Sequence, residues 1–125
     1  MKHALAVGAG GFLGAVARYL VSLGVARVWP RPFPLGTLLI NVTGSFVLGW
    51  FTTWVAARAE LDPAWRLLVA TGFVGAYTTF STFVFESDGM LRAGTGLKAI
   101  AYMAASLILG LACVRLGIWL GTERV

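Results

Sequence analysis

The segment TGFVGAYTTFSTFVFE, residues 71–86, sets the hydroxyls of Thr78, Thr79, Ser81 and Thr82 around Phe80 and Phe83, which lie three residues apart and so share one face of a helix. A second polar pattern lies upstream, where Thr37, Asn41 and Ser45 recur at intervals of four and form one stripe on one helix face. Aromatic rings have a negative face and a positive edge. Ring edges, hydroxyls and an asparagine N–H2 are thus donors of weak to moderate positive potential that carry no fixed charge. A conducting path must bind its ion firmly enough to replace water and loosely enough to let it go. This donor set meets that condition for a small anion rather than a cation. Taken alone, each pattern has a plainer reading: phenylalanines at helical spacing pack in cores, and polar stripes hydrogen-bond between helices. Packing does not explain why hydroxyls surround the rings.

Other chemistries find few residues to work with. His3 is the only histidine, Cys113 the only cysteine, and no nucleophile and base pair or metal-ligand cluster appears, so the pattern is not that of an enzyme. A single cysteine forms no intrachain disulfide, and Cys113 reads as a small apolar residue. The net charge of +5 needs no nucleic-acid partner, and no organic cofactor is called for.

The elements that must carry these residues are set by composition. With 58% hydrophobic and 12% charged residues and a mean hydropathy of +0.83, the chain is too apolar for an ordinary soluble domain. Apolar runs at residues 4–26, 35–57, 64–86 and 98–120 are each long enough to supply the ~20 residues that a helix needs to cross the hydrocarbon layer. The expected fold is an all-α integral membrane protein: one domain of four transmembrane helices, residues 1–125. Met1-Lys2-His3 followed by an apolar stretch and Ala15-Val16-Ala17 imitates a cleavable leader, but glycines at 8, 10, 11 and 14 suit a packing face, so the first run is read as a retained helix. The three prolines of Arg27 to Pro34 imply a rigid first turn with an interfacial tryptophan, and Asp62-Pro63 marks the start of helix three. The third connection is expected at about Ser87 to Gly96. Gly72 and Gly75, followed by Ala76-Tyr77-Thr78-Thr79, make poor continuous helix, so a broken third helix is expected. Such a break is tolerated at membrane depth only where its backbone groups meet protein, water or an ion.

Orientation follows from which side holds more lysine and arginine. Lys2, Arg58, Arg66 and Arg124 fall on one side and Arg27, Arg31, Arg92 and Lys98 on the other, with Arg18 and Arg115 inside the spans. A tie gives no preferred orientation unless Arg18 and Arg115 decide it. A chain that inserts both ways could pair with an inverted copy as an antiparallel dimer.

The motifs GAGGFLGAVARY (8–19), GTLLINVTGSFVLG (36–49) and TGFVGAYTTFSTFVFE (71–86) resemble, in order, those of the Fluc/CrcB fluoride channels. The resemblance covers most of the chain and is carried chiefly by the third motif. It implies passive fluoride conduction that lowers cytoplasmic fluoride, in a bacterial inner membrane, by an antiparallel dual-topology homodimer with paired narrow pores. It assigns Asn41, Phe80 and Phe83 to the anion path, with Thr79, Ser81 and Thr82 around it and Thr37 and Ser45 on the same stripe. Gly75 and Thr78 correspond to the break whose backbone carbonyls hold a central structural sodium ion, Na+. Tyr102 and Ser106 resemble a polar track in helix four, where Gly110 stands in place of a serine found in some relatives. Arg18 corresponds to a vestibule arginine; snorkelling, or pairing with Glu86, is the plainer alternative.

Two rival readings remain in the sequence. A small four-helix exporter of organic cations calls for a carboxylate within the membrane, and all five acids are expected in loops or near helix ends. An assembly factor would use the polar stripes only as glue between helices.

Overall fold

The computed structural model describes residues 1–123 and is all-helical, with four stretches long and apolar enough to cross a membrane. Arg124, one of the charges counted above, lies outside the described residues. Helix α1 spans Lys2–Val28 and α2 spans Leu35–Ala56. The third stretch is composite: α3 (Pro63–Arg66), a π-helical run (Leu67–Val74), α4 (Gly75–Tyr77) and α5 (Phe80–Arg92). Helix α6 spans Gly96–Thr122.

Close approach through glycine organises these helices, as expected in lipid, where small residues rather than hydrophobic burial bring helices together. Gly10 and Gly14 are buried one turn apart on α1. A Cβ at Gly10 would run into the Leu68 carbonyl and one at Gly14 into that of Phe73, both in the π-helical run. From the opposite side, a Cβ at Gly72 would lie 2.6 Å from the Val7 carbonyl oxygen and 3.0 Å from the Gly10 Cα. Helix α6 packs on α2 by the same device: Gly117 faces the Phe46 carbonyl and Gly121 lies against Trp50 and Thr53, while Gly49 of α2 faces the Val114 carbonyl.

The helix ends carry their own stop signals. Asp62 caps α3 by accepting from the Ala64 amide at 2.9 Å, and Pro63 occupies the first helical position, where its missing N–H costs nothing. Lys2 pairs with Asp62 at 2.7 Å, which puts the start of α1 and the start of α3 at the same end of the bundle. The ammonium donated by Lys2, and then the Ala64 amide, hold the Asp62 carboxyl below the usual carboxylate range. That small, solvent-screened contribution is present above the ordinary carboxylate pKa and fades as pH falls through the depressed value.

The third connection is shorter than the sequence suggests, because α5 runs on to Arg92 rather than stopping at residue 86. Arg92 pairs with Asp88 one turn earlier at 2.7 Å. The helix then closes with Gly94 at φ +76, as the Gly94 amide donates to Leu91 at 3.1 Å and the Thr95 amide to Met90 at 3.0 Å. Only glycine takes that left-handed conformation readily, so the turn falls at 93–95.

Candidate anion path

The third stretch leaves helical geometry at two residues. Thr78 (φ −80, ψ 160) and Thr79 (φ −151, ψ 117) are extended between α4 and α5. Gly72 and Gly75, where the sequence suggested poor helix, are themselves helical; Gly72 is a packing contact with α1. The departure follows from a competing partner across the bundle. The Asn41 amide of α2 donates from Nδ2 to the Thr79 carbonyl at 3.0 Å, and its Oδ1 accepts from the Thr79 N–H at 2.8 Å. One side chain thus satisfies both backbone groups of the residue that leaves the helix. The Thr79 hydroxyl accepts from the Thr82 amide at 3.3 Å, starting α5 as its N-cap, and also donates to the Thr82 hydroxyl at 3.0 Å.

These bonds redirect two amides. In a continuous helix the Gly75 and Thr78 carbonyls would accept from the amides of Thr79 and Thr82, which here donate to Asn41 and to the Thr79 side chain instead. Gly75 is exposed. Nearby, a Cβ at Gly44 of α2 would collide with the Thr78 methyl group, so α2 lies directly against the interruption.

A second node lies farther along α5. Glu86 accepts from the Thr37 hydroxyl at Oε1 (2.8 Å) and from the Tyr102 hydroxyl at Oε2 (2.8 Å), joining α2, α5 and α6 through one carboxylate. Sequence reasoning put Glu86 near a helix end; it lies inside α5, six residues before the helix stops. The available signal was spacing, since Thr79, Thr82, Phe83 and Glu86 fall at i, i+3, i+4 and i+7 on one face. Nor does Arg18 pair with Glu86: the ion pairs among the described residues are Lys2–Asp62 and Asp88–Arg92.

The rings sit between these nodes. Phe80 and Phe83 have centroids 6.0 Å apart, and Phe83 lies 5.3 Å from the fully buried Tyr102 at an interplanar angle of 51°. Phe80 is 77% exposed. Ser45 donates back to the Asn41 carbonyl at 2.7 Å, and Thr78 to Val74 at 2.9 Å. Ser106 has a buried hydroxyl without a partner, and one turn on, a Cβ at Gly110 would lie 3.8 Å from the Ser45 hydroxyl. Ser81 and Thr82 are exposed.

Four cavities follow this chain of polar residues. The largest, about 740 Å³, lies between the first turn and the ends of α5 and α6, lined in part by Trp29, Arg31, Lys98 and Glu86. The next, about 270 Å³, shares Trp29, Arg31, Phe33, Pro34 and Glu86 with it and adds Ser22, Thr37 and Thr82. A third, about 360 Å³, shares those last three and is walled by Arg18 and Thr79. The fourth, about 240 Å³, shares Thr79 and holds Asn41, Ser45, Thr78 and Phe80. Shared walls thus connect the headgroup end of the bundle to the interruption.

Residues 5–118 match the family model described as CrcB-like protein, Camphor Resistance (CrcB). Several relatives align over nearly their whole length. The fluoride-specific ion channel FluC of Acidobacterium capsulatum is 46% identical over 125 residues, covering 100% of this chain and 99% of the relative. FluC 1 of Geobacillus kaustophilus is 49% identical over 121 residues, covering 97% and 99%, and FluC of Chlorobaculum tepidum is 47% identical over 114 residues, covering 91% and 90%. The chain therefore belongs to the CrcB-like family.

Proposed function

We propose that this chain forms a fluoride-selective channel that conducts passively and lowers fluoride in the cytoplasm. The observation that carries the reading is the series of wall-sharing cavities running from Glu86, Thr37 and Thr82 to Asn41 and Phe80. Its relatives are named as fluoride-specific ion channels. Along this route Asn41, Thr37, Ser45, Thr79 and Thr82 present hydroxyl and amide dipoles, and Phe80 and Phe83 present ring edges. Tyr102 and Ser106 continue the donors into α6, and Ser81 borders the route beside Phe80. Arg18 holds positive charge beside the third cavity, attracting anions without sitting at the narrow point.

Fluoride efflux from liposomes should far exceed chloride efflux and run without a proton gradient. A narrow, donor-lined path replaces water around a small anion and excludes a larger one. Equal fluxes would sink the fluoride reading, and a strict requirement for a proton gradient would favour a transporter.

The working unit is an antiparallel homodimer in a bacterial inner membrane, surrounded by lipid. Supporting this are polar groups left exposed on the apolar spans: the Ser81 hydroxyl and the backbone at Gly75. Lipid satisfies none of them, and a second copy can. In this reading the third span acts as a broken helix. The carbonyls of Gly75 and Thr78 are hard oxygen donors of the kind a sodium ion prefers, so they fit a central structural Na+ shared with the partner. When bound, that ion would supply positive charge at the dimer centre.

Dual topology has its own test. An amino-terminal tag should be labelled from both membrane faces, and several lysines added to one side should bias insertion and reduce active dimers. Labelling confined to one face would rule out the inverted homodimer.

A further inference from the structure

The cavity of about 740 Å³ at the headgroup end is built unlike the three that make up the route. Much of its wall is apolar, including Pro32, Phe33, Pro34 and Met90, while Arg31 and Lys98 are its cations. Among the described residues neither cation forms an ion pair. Arg31 lies over the Trp29 ring, 4.7 Å from its centroid, which fixes the guanidinium beside the indole. The Trp29 Nε1–H is buried and has no acceptor. A buried donor left without a partner is costly, so this one points to an acceptor that the protein does not supply. Glu86, the carboxylate on the wall, is already engaged by Thr37 and Tyr102.

We infer that this cavity is a binding site for an anionic phospholipid, with the headgroup phosphate between Arg31, Lys98 and the Trp29 N–H and an acyl chain along Phe33 and Met90. Two observations favour a lipid over a free anion. The cavity far exceeds a phosphate in size, and it opens where α1 ends and α6 begins, at the level of the headgroups. The inference rests on the membrane placement of the helices and is independent of which ion the channel carries.

The test is native mass spectrometry of the intact protein in mixed micelles containing phosphatidylglycerol and phosphatidylcholine in equal amounts. Wild type should retain phosphatidylglycerol selectively. Arg31→Ala combined with Lys98→Ala should weaken that retention about thirtyfold, given ~1 kcal/mol for each basic residue meeting anionic lipid. Trp29→Phe, which keeps an aromatic ring under Arg31 but removes the N–H, should weaken it about fivefold, in line with one hydrogen bond. Arg31→Lys keeps the charge and should retain most of the lipid, a check independent of any folding defect in the double variant. Lys2→Ala, at the other end of the bundle, should leave retention unchanged. Equal retention of the two lipids by wild type, as when a second copy closes the cavity, overturns the inference. So does displacement of the lipid by millimolar inorganic phosphate, which would mark a free-anion site, or undiminished retention in the double variant. Because lipid retention is read without ion flux, its failure leaves the fluoride reading standing, and the reverse holds too.

Discussion

Phe80→Ile and Phe83→Ile are each expected to lower fluoride efflux about tenfold or more, because a ring edge worth ~1.4 kcal/mol at the narrow point changes passage by that factor. Isoleucine keeps apolar bulk and removes the ring quadrupole. The two positions test the idea differently. Phe83 packs against Phe80 and Tyr102, so its loss also disturbs a ring cluster. Phe80 is mostly exposed in the single chain, so its replacement removes little packing within one copy. Efflux from liposomes and dimer content by size-exclusion chromatography would be measured on the same preparations. If both variants conduct normally as intact dimers, the rings only pack, and the hydroxyls around them need another explanation.

Asn41→Leu is expected to fail more completely, with little assembled protein and efflux near that of empty liposomes. Leucine approximates the size of asparagine but leaves the Thr79 N–H and C=O without partners. Each unsatisfied backbone group costs about 1–3 kcal/mol, and together they approach the whole stability of a small domain. Asn41→Asp separates scaffolding from conduction. It keeps an acceptor for the Thr79 N–H, loses the donor to the Thr79 carbonyl, and adds negative charge beside the cavity that Asn41 lines. A folded Asn41→Asp dimer that no longer passes fluoride would show the amide facing the anion. Wild-type stability and flux in Asn41→Leu would instead show that the interruption forms without it.

The family and the membrane-spanning character were legible because both depend on local pattern. Four apolar runs of spanning length, the Asp62-Pro63 start and the TTFSTF motif are properties of neighbouring residues; the first two have counterparts in the structure, and the motif pointed to the family that the chain matches. Lengths and partners were less legible. Ser87 and Asp88 look like a loop in one dimension, yet the helix continues past Glu86 and through them, because Glu86 has hydroxyl partners on α2 and α6 and Asp88 has Arg92 one turn on.

By itself the sequence determined which stretches are helical and which of their faces carry polar residues. Tertiary structure decided where the third span leaves helical geometry. The sequence marked the stretch from Gly72 to Thr79 as poor helix; its two glycines stay helical, and Gly72 packs against α1. Within that stretch the chain opens at Thr78 and Thr79, where an asparagine 38 residues earlier in the chain offers both a donor and an acceptor to one backbone unit. Local propensity differs by at most about 1 kcal/mol between residues. A paired amide replacing two backbone hydrogen bonds away from water outweighs that difference, and no pattern of neighbours reveals it.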